Sequence, residues 1–205
     1  MARLAAVVLA GGRGERLGGV VKANLSIGGI RLLDRVVGAL GDLPSPILVA
    51  HGAVPPEQFD LGPALVPAPD LEADYAGPLA GLAGAVAWLA QAETPPELLL
   101  SIAADTPFVP ADFSSRMLEA VQGRKAVVAG HRGESYPTNA IWRLSAIVHL
   151  PGEVLAGTAP RSLKRLAARL DAPLLEWPET AGGDPFANAN TPADLAALEA
   201  RARLG

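Results

Sequence analysis

Residues 5–19 read Ala5-Ala6-Val7-Val8-Leu9-Ala10-Gly11-Gly12-Arg13-Gly14-Glu15-Arg16-Leu17-Gly18-Gly19. The apolar run at 5–9 has no polar residue to turn toward solvent, and it stops in glycines. That is the pattern of a strand buried on both faces, as in a parallel sheet. Residues 47–50 and 98–103 read the same way, as do the less regular 126–129 and 174–177. Between them, residues 32–40, 79–91, 111–122 and 162–170 place apolar side chains at helical spacing, and 192–204 forms a last helix. Thr191 is expected to cap that helix, with Pro192 at its first position and the Asp194 carboxylate completing a capping box. Strands that alternate with helices imply an α/β fold of three layers, with a predominantly parallel central sheet between helices. Ligands of such sheets sit at the carboxyl ends of strands, near a topological switch point. The proline patches at 44–46, 55–56, 63–69 and 95–96 are spaced like loops between elements, so a single domain over 1–205 is expected.

Half of the 205 residues are hydrophobic, which is enough for a sizeable core. Only 4% are aromatic, so Ala, Leu and Val must fill it by close helix-on-sheet packing. The formal charge of −4 leaves no basic surplus for nonspecific nucleic-acid binding. An anionic ligand must instead meet a few placed cations and backbone N–H groups. There is no cysteine, which excludes disulfides, thiolate metal sites and a cysteine nucleophile, and fits a reducing cytoplasm. The apolar start is short for a signal peptide and runs at once into Arg13, Glu15 and Arg16. No stretch approaches the ~18 apolar residues of a membrane span. The expectation is a soluble, cytoplasmic protein that engages neither membrane nor nucleic acid.

The glycines after the first strand let backbone N–H groups approach phosphate oxygens. Arg13, Arg16 and Lys22 add the positive charge that a triphosphate needs. A Walker A loop is excluded because Lys22 lies between Val21 and Ala23, and a dinucleotide fingerprint because Leu17 stands where its third glycine belongs. A plain strand-to-helix turn explains the glycines alone, though not the three cations beside them. Asp105, straight after the run 98–104, could hold Mg²⁺, which takes one or two carboxylates plus substrate phosphates. It reads equally as a turn aspartate before Pro110. Gly77-Pro78-Leu79-Ala80-Gly81 allows backbone to approach a base or ribose, and equally allows tight helix packing. Asn188 and Asn190 lie two apart ahead of the last helix, one suited to a site and the other to supporting the helix entry.

In this order, LAGGRGERLGG with Lys22, DLEADYAGPLAG, ADTPFVP and FANANTP resemble the molybdenum cofactor guanylyltransferase family, within the Rossmann-like nucleotidyltransferases. The resemblance spans residues 9–195. It implies a nucleotide-binding part over about 1–110 and an acceptor-binding part over about 111–205. It implies that Leu9, Ala10 and Gly11 contact guanine and ribose, with Gly12, Arg13, Gly77 and Pro78 beside them, Lys22 on the phosphates and Asp70 on the nucleotide. Asp105 would bind Mg²⁺. Lys22, Arg13 and Arg16 would offset charge on departing pyrophosphate. Arg161, Lys164, Asn188 and Asn190 would face the pterin acceptor. Two positions depart from the family: His51 stands where a nucleotide-contacting asparagine is common, and is expected to keep one hydrogen bond to base or ribose, and Val21 stands where an aspartate is often found. The implied reaction transfers GMP from GTP to molybdopterin. Other biosynthesis proteins of that cofactor, or its target enzymes, are the partners it suggests. Alternatives are a cytidylyltransferase or sugar-phosphate nucleotidyltransferase of the same fold, or a nucleotide-binding protein without catalysis.

Other conspicuous residues have plainer readings. His131 and His149 lack a second histidine or cysteine at metal spacing and are expected at the surface or in loops. Trp88, Trp142 and Trp177 are expected in or around the core. Ser101 lies inside a strand without a nucleophile-elbow context. The charges of 199–203 read as a solvated helix face.

Overall fold

The computed structural model describes residues 3–11, 13–14, 19–71, 77–180 and 182–204, with only the backbone described at 13 and 14. The elements run β1 (Leu4–Leu9), β2 (Arg13–Gly14), β3 (Val20–Val21), β4 (Ser26–Ile27), β5 (Ile30–Arg31), α1 (Leu32–Leu40), β6 (Ile47–Ala50), β7 (Leu65–Ala68) and α2 (Pro78–Leu89). They continue with β8 (Leu98–Ala103), α3 (Phe113–Ala120), β9 (Ala126–His131), β10 (Glu134–Arg143), α4 (Leu144–Ile147), α5 (Leu150–Leu155), α6 (Leu163–Arg169), β11 (Leu174–Glu176) and α7 (Pro192–Ala202). Seven strands form the main sheet in the order β11-β9-β10-β8-β1-β6-β7. All neighbours are parallel except β10, which is antiparallel to both β8 and β9.

The unbroken apolar runs are explained by burial on both faces. In β1, Ala5 and Val7 belong to a core shared with α2, α5 and α6, while Leu4, Ala6 and Val8 belong to one shared with α1 and α3. A third, smaller cluster joins Ile27, Leu32, Ala189 and Leu198, packing α7 against the β4–β5 hairpin. The capping box at Thr191 and Asp194 is present.

Three expectations are corrected. Residues 63–69 are not only loop, since β7 lies within them. Its Pro67 is exposed, and β7 is an edge strand, where a missing N–H leaves no gap in the ladder. Strand β10 is not expected from the sequence, and its ladder with β9 is interrupted between Tyr136 and Ala140. Within that stretch the Asn139 Oδ1 accepts the Ala103 N–H of β8 at 2.9 Å. His131 is buried at the end of β9, its Nδ1 donating to the Trp177 carbonyl at 3.0 Å.

Helix α2 reaches the sheet through its small residues. A Cβ on Gly84 would fall inside the radius of the Pro69 carbonyl oxygen, and one on Gly81 would lie 3.0 Å from the Ala50 Cβ. Gly84→Ala is therefore expected to destabilise the fold by about 1–3 kcal/mol through overpacking. Gly38→Ala on α1, where the added Cβ meets nothing within 4 Å, should stabilise it by about 0.5–1 kcal/mol. Denaturant unfolding of the two variants checks both signs.

Candidate active site

Along the chain, β1 is followed by β6 and β7 on one side and by β8 on the other, so the strand order reverses between β1 and β8. A ligand crevice is expected at the carboxyl ends of that pair. There, a cavity of about 280 Å³ is lined by Leu9, Ala10 and Gly11, by Asp70, and by Gly77, Pro78 and Gly81 of the α2 entry. Lys22, Ala50, Ala103, Ala104, Asp105, Thr138 and Asn188 complete the lining.

The glycine turn is held by its neighbours. Ala10 N–H donates to the Ala50 carbonyl at 2.8 Å, and Ala104 N–H donates to the Leu9 carbonyl at 3.1 Å. Gly11 and Gly52 meet backbone to backbone, and a Cβ on Gly11 would lie 2.9 Å from Gly52 Cα. Gly52 N–H in turn donates to Asp70 Oδ1 at 3.0 Å. The turns after β1, β6 and β7 are thus locked to one another around the cavity. The small residues that bring α2 close to the sheet also leave open space beside Gly77, Pro78 and Gly81.

Lys22 opens a short 3₁₀ turn, Lys22–Asn24, straight after β3. Its ammonium donates to Asp105 Oδ2 at 3.3 Å and to Asn190 Oδ1 at 2.6 Å. Asp105 follows β8 by two residues, and its carbonyl accepts the Ala189 N–H at 3.0 Å. Asn190 is held by its own N–H, which donates to Asp194 Oδ2 at 3.1 Å. Three regions far apart in sequence therefore converge on one ammonium group. Asn188 Oδ1 is buried with no hydrogen-bond partner among the described residues. A buried acceptor in that state is suited to a donor or cation brought by a ligand.

Asp70 is half-buried, and burial pushes its carboxyl above the usual carboxylate range. The Gly52 N–H bond and the His51 ring charge oppose that shift without cancelling it. His51 does not line the cavity. Its Nδ1 donates to the Val54 carbonyl at 2.7 Å, and its ring lies 6.4 Å from that of Phe59. Val21 is half-buried against the core, so the apolar residue there has a packing role.

The structure brings together Leu9, Ala10, Gly11, Lys22, Asp70, Gly77, Pro78, Asp105, Asn188 and Asn190. Gly12, Arg16 and the Arg13 side chain lie outside the described residues. Arg161 and Lys164 are exposed at the start of α6, away from the cavity lining. Thr138, which the β10 bulge delivers to the cavity, is not marked in the sequence, because a polar stretch broken by Pro137 carries no strand signal.

A backbone cradle at the switch point, faced by a lysine and a strand-end carboxylate, has the make-up of a nucleotide site. A family model described as the MobA-like NTP transferase domain matches residues 6–183. The chain belongs to that family. It is 34% identical over 198 residues to a molybdenum cofactor guanylyltransferase of Rhodopseudomonas palustris strain HaA2, covering 95% of this chain and 90% of that one. It is 33% identical over 201 residues to the molybdenum cofactor guanylyltransferase of Rhodobacter capsulatus, covering 98% and 97%. Its fold matches the molybdopterin-guanine dinucleotide biosynthesis protein A of Archaeoglobus fulgidus, with a TM-score of 0.67 at 20% identity over 99% and 100% of the two chains.

Asp70 gives a pH prediction. Its carboxyl is raised in the fold above an unfolded value of about 3.9. Its contribution to stability is therefore full below that value and is lost as pH rises through the folded one. Asp70→Asn keeps an acceptor for Gly52 and cannot ionise. It should melt higher than the wild type at pH 7, with the difference vanishing near pH 3.5. Thermal melts across that range check it, and a variant that melts lower at pH 7 contradicts the assignment of burial as the cause.

Proposed function

We propose that this chain transfers GMP from GTP to molybdopterin in a divalent-metal-dependent reaction, giving molybdopterin guanine dinucleotide and pyrophosphate. The observation that carries the reading is the Lys22 ammonium, held by Asp105 and Asn190 at the rim of the cradle formed by Leu9, Ala10 and Gly11. The identity of the relatives supplies the substrates.

The base would enter between the β1 turn and the α2 entry, where Gly77, Pro78 and Gly81 leave room for a flat ring. Asp70 faces the same space. An ionised carboxylate only accepts hydrogen bonds, and guanine presents two adjacent N–H donors on its pairing edge. With the triphosphate seated, Lys22 exchanges Asp105 for phosphate oxygens and offsets charge that builds on the leaving pyrophosphate. Arg13 and Arg16 are proposed to share that role.

Among the described residues, no three of His, Cys, Asp or Glu cluster to form a metal cage. Mg²⁺ does not require one: it keeps waters and substrate phosphates and takes one or two protein oxygens. The Asp105 carboxylate and the unpaired Asn188 Oδ1 are hard oxygen donors that fit this pattern. A divalent cation bound there supplies Lewis-acid stabilisation of the phosphoryl oxygens. The acceptor phosphate attacks the α-phosphorus; a new P–O bond forms as the bond to the β-phosphate breaks. A phosphate is already anionic at neutral pH, so no general base is needed, and positioning with charge stabilisation accounts for the catalysis. Asn188 and Asn190 are proposed to meet the acceptor as well, with Arg161 reaching it from the start of α6.

Pyrophosphate release from GTP in the presence of molybdopterin and Mg²⁺ tests the reading. Lys22→Met and Asp105→Asn are each expected to lower kcat by roughly 10²–10³-fold, the usual cost of one electrostatic contact to the reacting group. Full activity in Asp105→Asn would refute the metal assignment. Absence of pyrophosphate release by the wild type would refute the reaction.

A further inference from the structure

The loop that carries Asn188 and Asn190 has little regular structure of its own, yet its two amides must be placed relative to Asp105. One side chain joins both segments from a distance. Arg201, in the last turn of α7, donates from one terminal nitrogen to the Asp184 carbonyl at 2.6 Å and from the other to Thr180 Oγ1 at 2.9 Å. Its guanidinium also lies 4.2 Å from the centroid of the Phe108 ring. Phe108 belongs to the segment Asp105-Thr106-Pro107-Phe108, and Arg35 of α1 reaches the same ring at 5.3 Å. Arg35 is itself fixed by two bonds to the Ile27 carbonyl, at 3.0 and 2.7 Å. The charges of 199–203 are therefore not a plain solvated face: Arg201 is half-buried and engaged, and Glu199 accepts the Gly28 N–H at 2.8 Å.

Space around Arg201 is shaped for it. A Cβ on Gly182 would overlap its Nε, Cδ and Cγ. Asp184, whose carbonyl it holds, is also tied by its carboxylate to the Phe186 N–H and to the Tyr136 hydroxyl, each at 2.8 Å. Phe186 is buried among Phe113, Tyr136 and Trp177. The loop is thus anchored firmly at 184–186, two residues before Asn188. The planar fork of arginine suits this task, because it can hydrogen-bond at its edge while stacking through its face.

We infer that Arg201 is a positioning residue for the transfer reaction, clamping the Asp105 segment and the Asn188–Asn190 loop into one register through Phe108 and the Asp184 carbonyl. This rests on the proposed nucleotidyl transfer. Arg201 does not line the cavity, so its loss should disturb the alignment of Asp105 with the asparagines while sparing the base and ribose cradle. The test compares the wild type with Arg201→Gln and Arg201→Lys in three readouts: kcat and KM for GTP, the stoichiometry of GTP binding by calorimetry, and Mn²⁺ affinity by electron paramagnetic resonance with GTP bound. Arg201→Gln should lower kcat by about tenfold and weaken Mn²⁺ binding several-fold, at unchanged GTP stoichiometry and a KM within about twofold. Arg201→Lys, which keeps the charge without the fork, should fall short of the wild type in both. An unchanged kcat and Mn²⁺ affinity in Arg201→Gln would overturn the inference. So would a loss of kcat that only matches a loss of GTP-binding sites, which is the mark of a merely structural role. A wild type that binds neither GTP nor Mn²⁺ would overturn the transferase reading itself, and this inference with it.

Discussion

One ammonium group ties the site together. Lys22 comes from the segment after the glycine turn, Asp105 from the end of β8, and Asn190 from the entry to α7. Each lies where it does because of a separate local device. A 3₁₀ turn places Lys22, the carboxyl end of a doubly buried strand places Asp105, and a capping box places Asn190 through the Asp194 carboxylate. The ion pair is partly shielded, with both side chains less than one-fifth exposed. A pair in that setting is weak evidence of stability. Under the proposed function, this pairing satisfies the charges of the site until a triphosphate supplies other partners for the lysine.

Around that group the backbone is packed more tightly than side chains allow. Gly11 against Gly52, Gly81 against Ala50 and Gly84 against Pro69 let three strand ends and one helix start meet at van der Waals distance. The absence of side chains there serves two needs at once. It lets α2 settle on the sheet, and it leaves the 280 Å³ space into which a base and ribose are proposed to fit. Asp70 lies at the junction, raised by burial and steadied by the Gly52 N–H. A carboxylate kept in such surroundings costs the fold some stability at neutral pH.

The legible parts of the sequence were those with local causes. β6, β8 and α1 took the bounds that periodicity predicted, because strands buried on both faces leave unbroken apolar runs and α1 shows one apolar stripe. The capping box was readable because its residues are three apart. β7 and β10 escaped because Pro67 and Pro137 interrupt them, one tolerated at an edge and the other within a bulge. Lys22 and Asp105 could be picked out by chemistry next to glycines and strand ends. Thr138 and Arg201 could not: Thr138 depends on where a bulge falls, and Arg201 is one charge among several on a terminal helix. His131 was misplaced for a related reason, since its burial depends on the Trp177 carbonyl, 46 residues away. Long-range pairing leaves no periodic trace in one sequence.

The cradle at the β1–β8 switch point is proposed to be built for guanine nucleotides. Calorimetric titration of the wild-type chain with GTP, CTP, UTP and ATP, each with Mg²⁺, tests it most directly. Saturable binding of one GTP per chain is expected, at least tenfold tighter than that of any of the other three. Equal affinity for all four, or tighter binding of CTP, would contradict it.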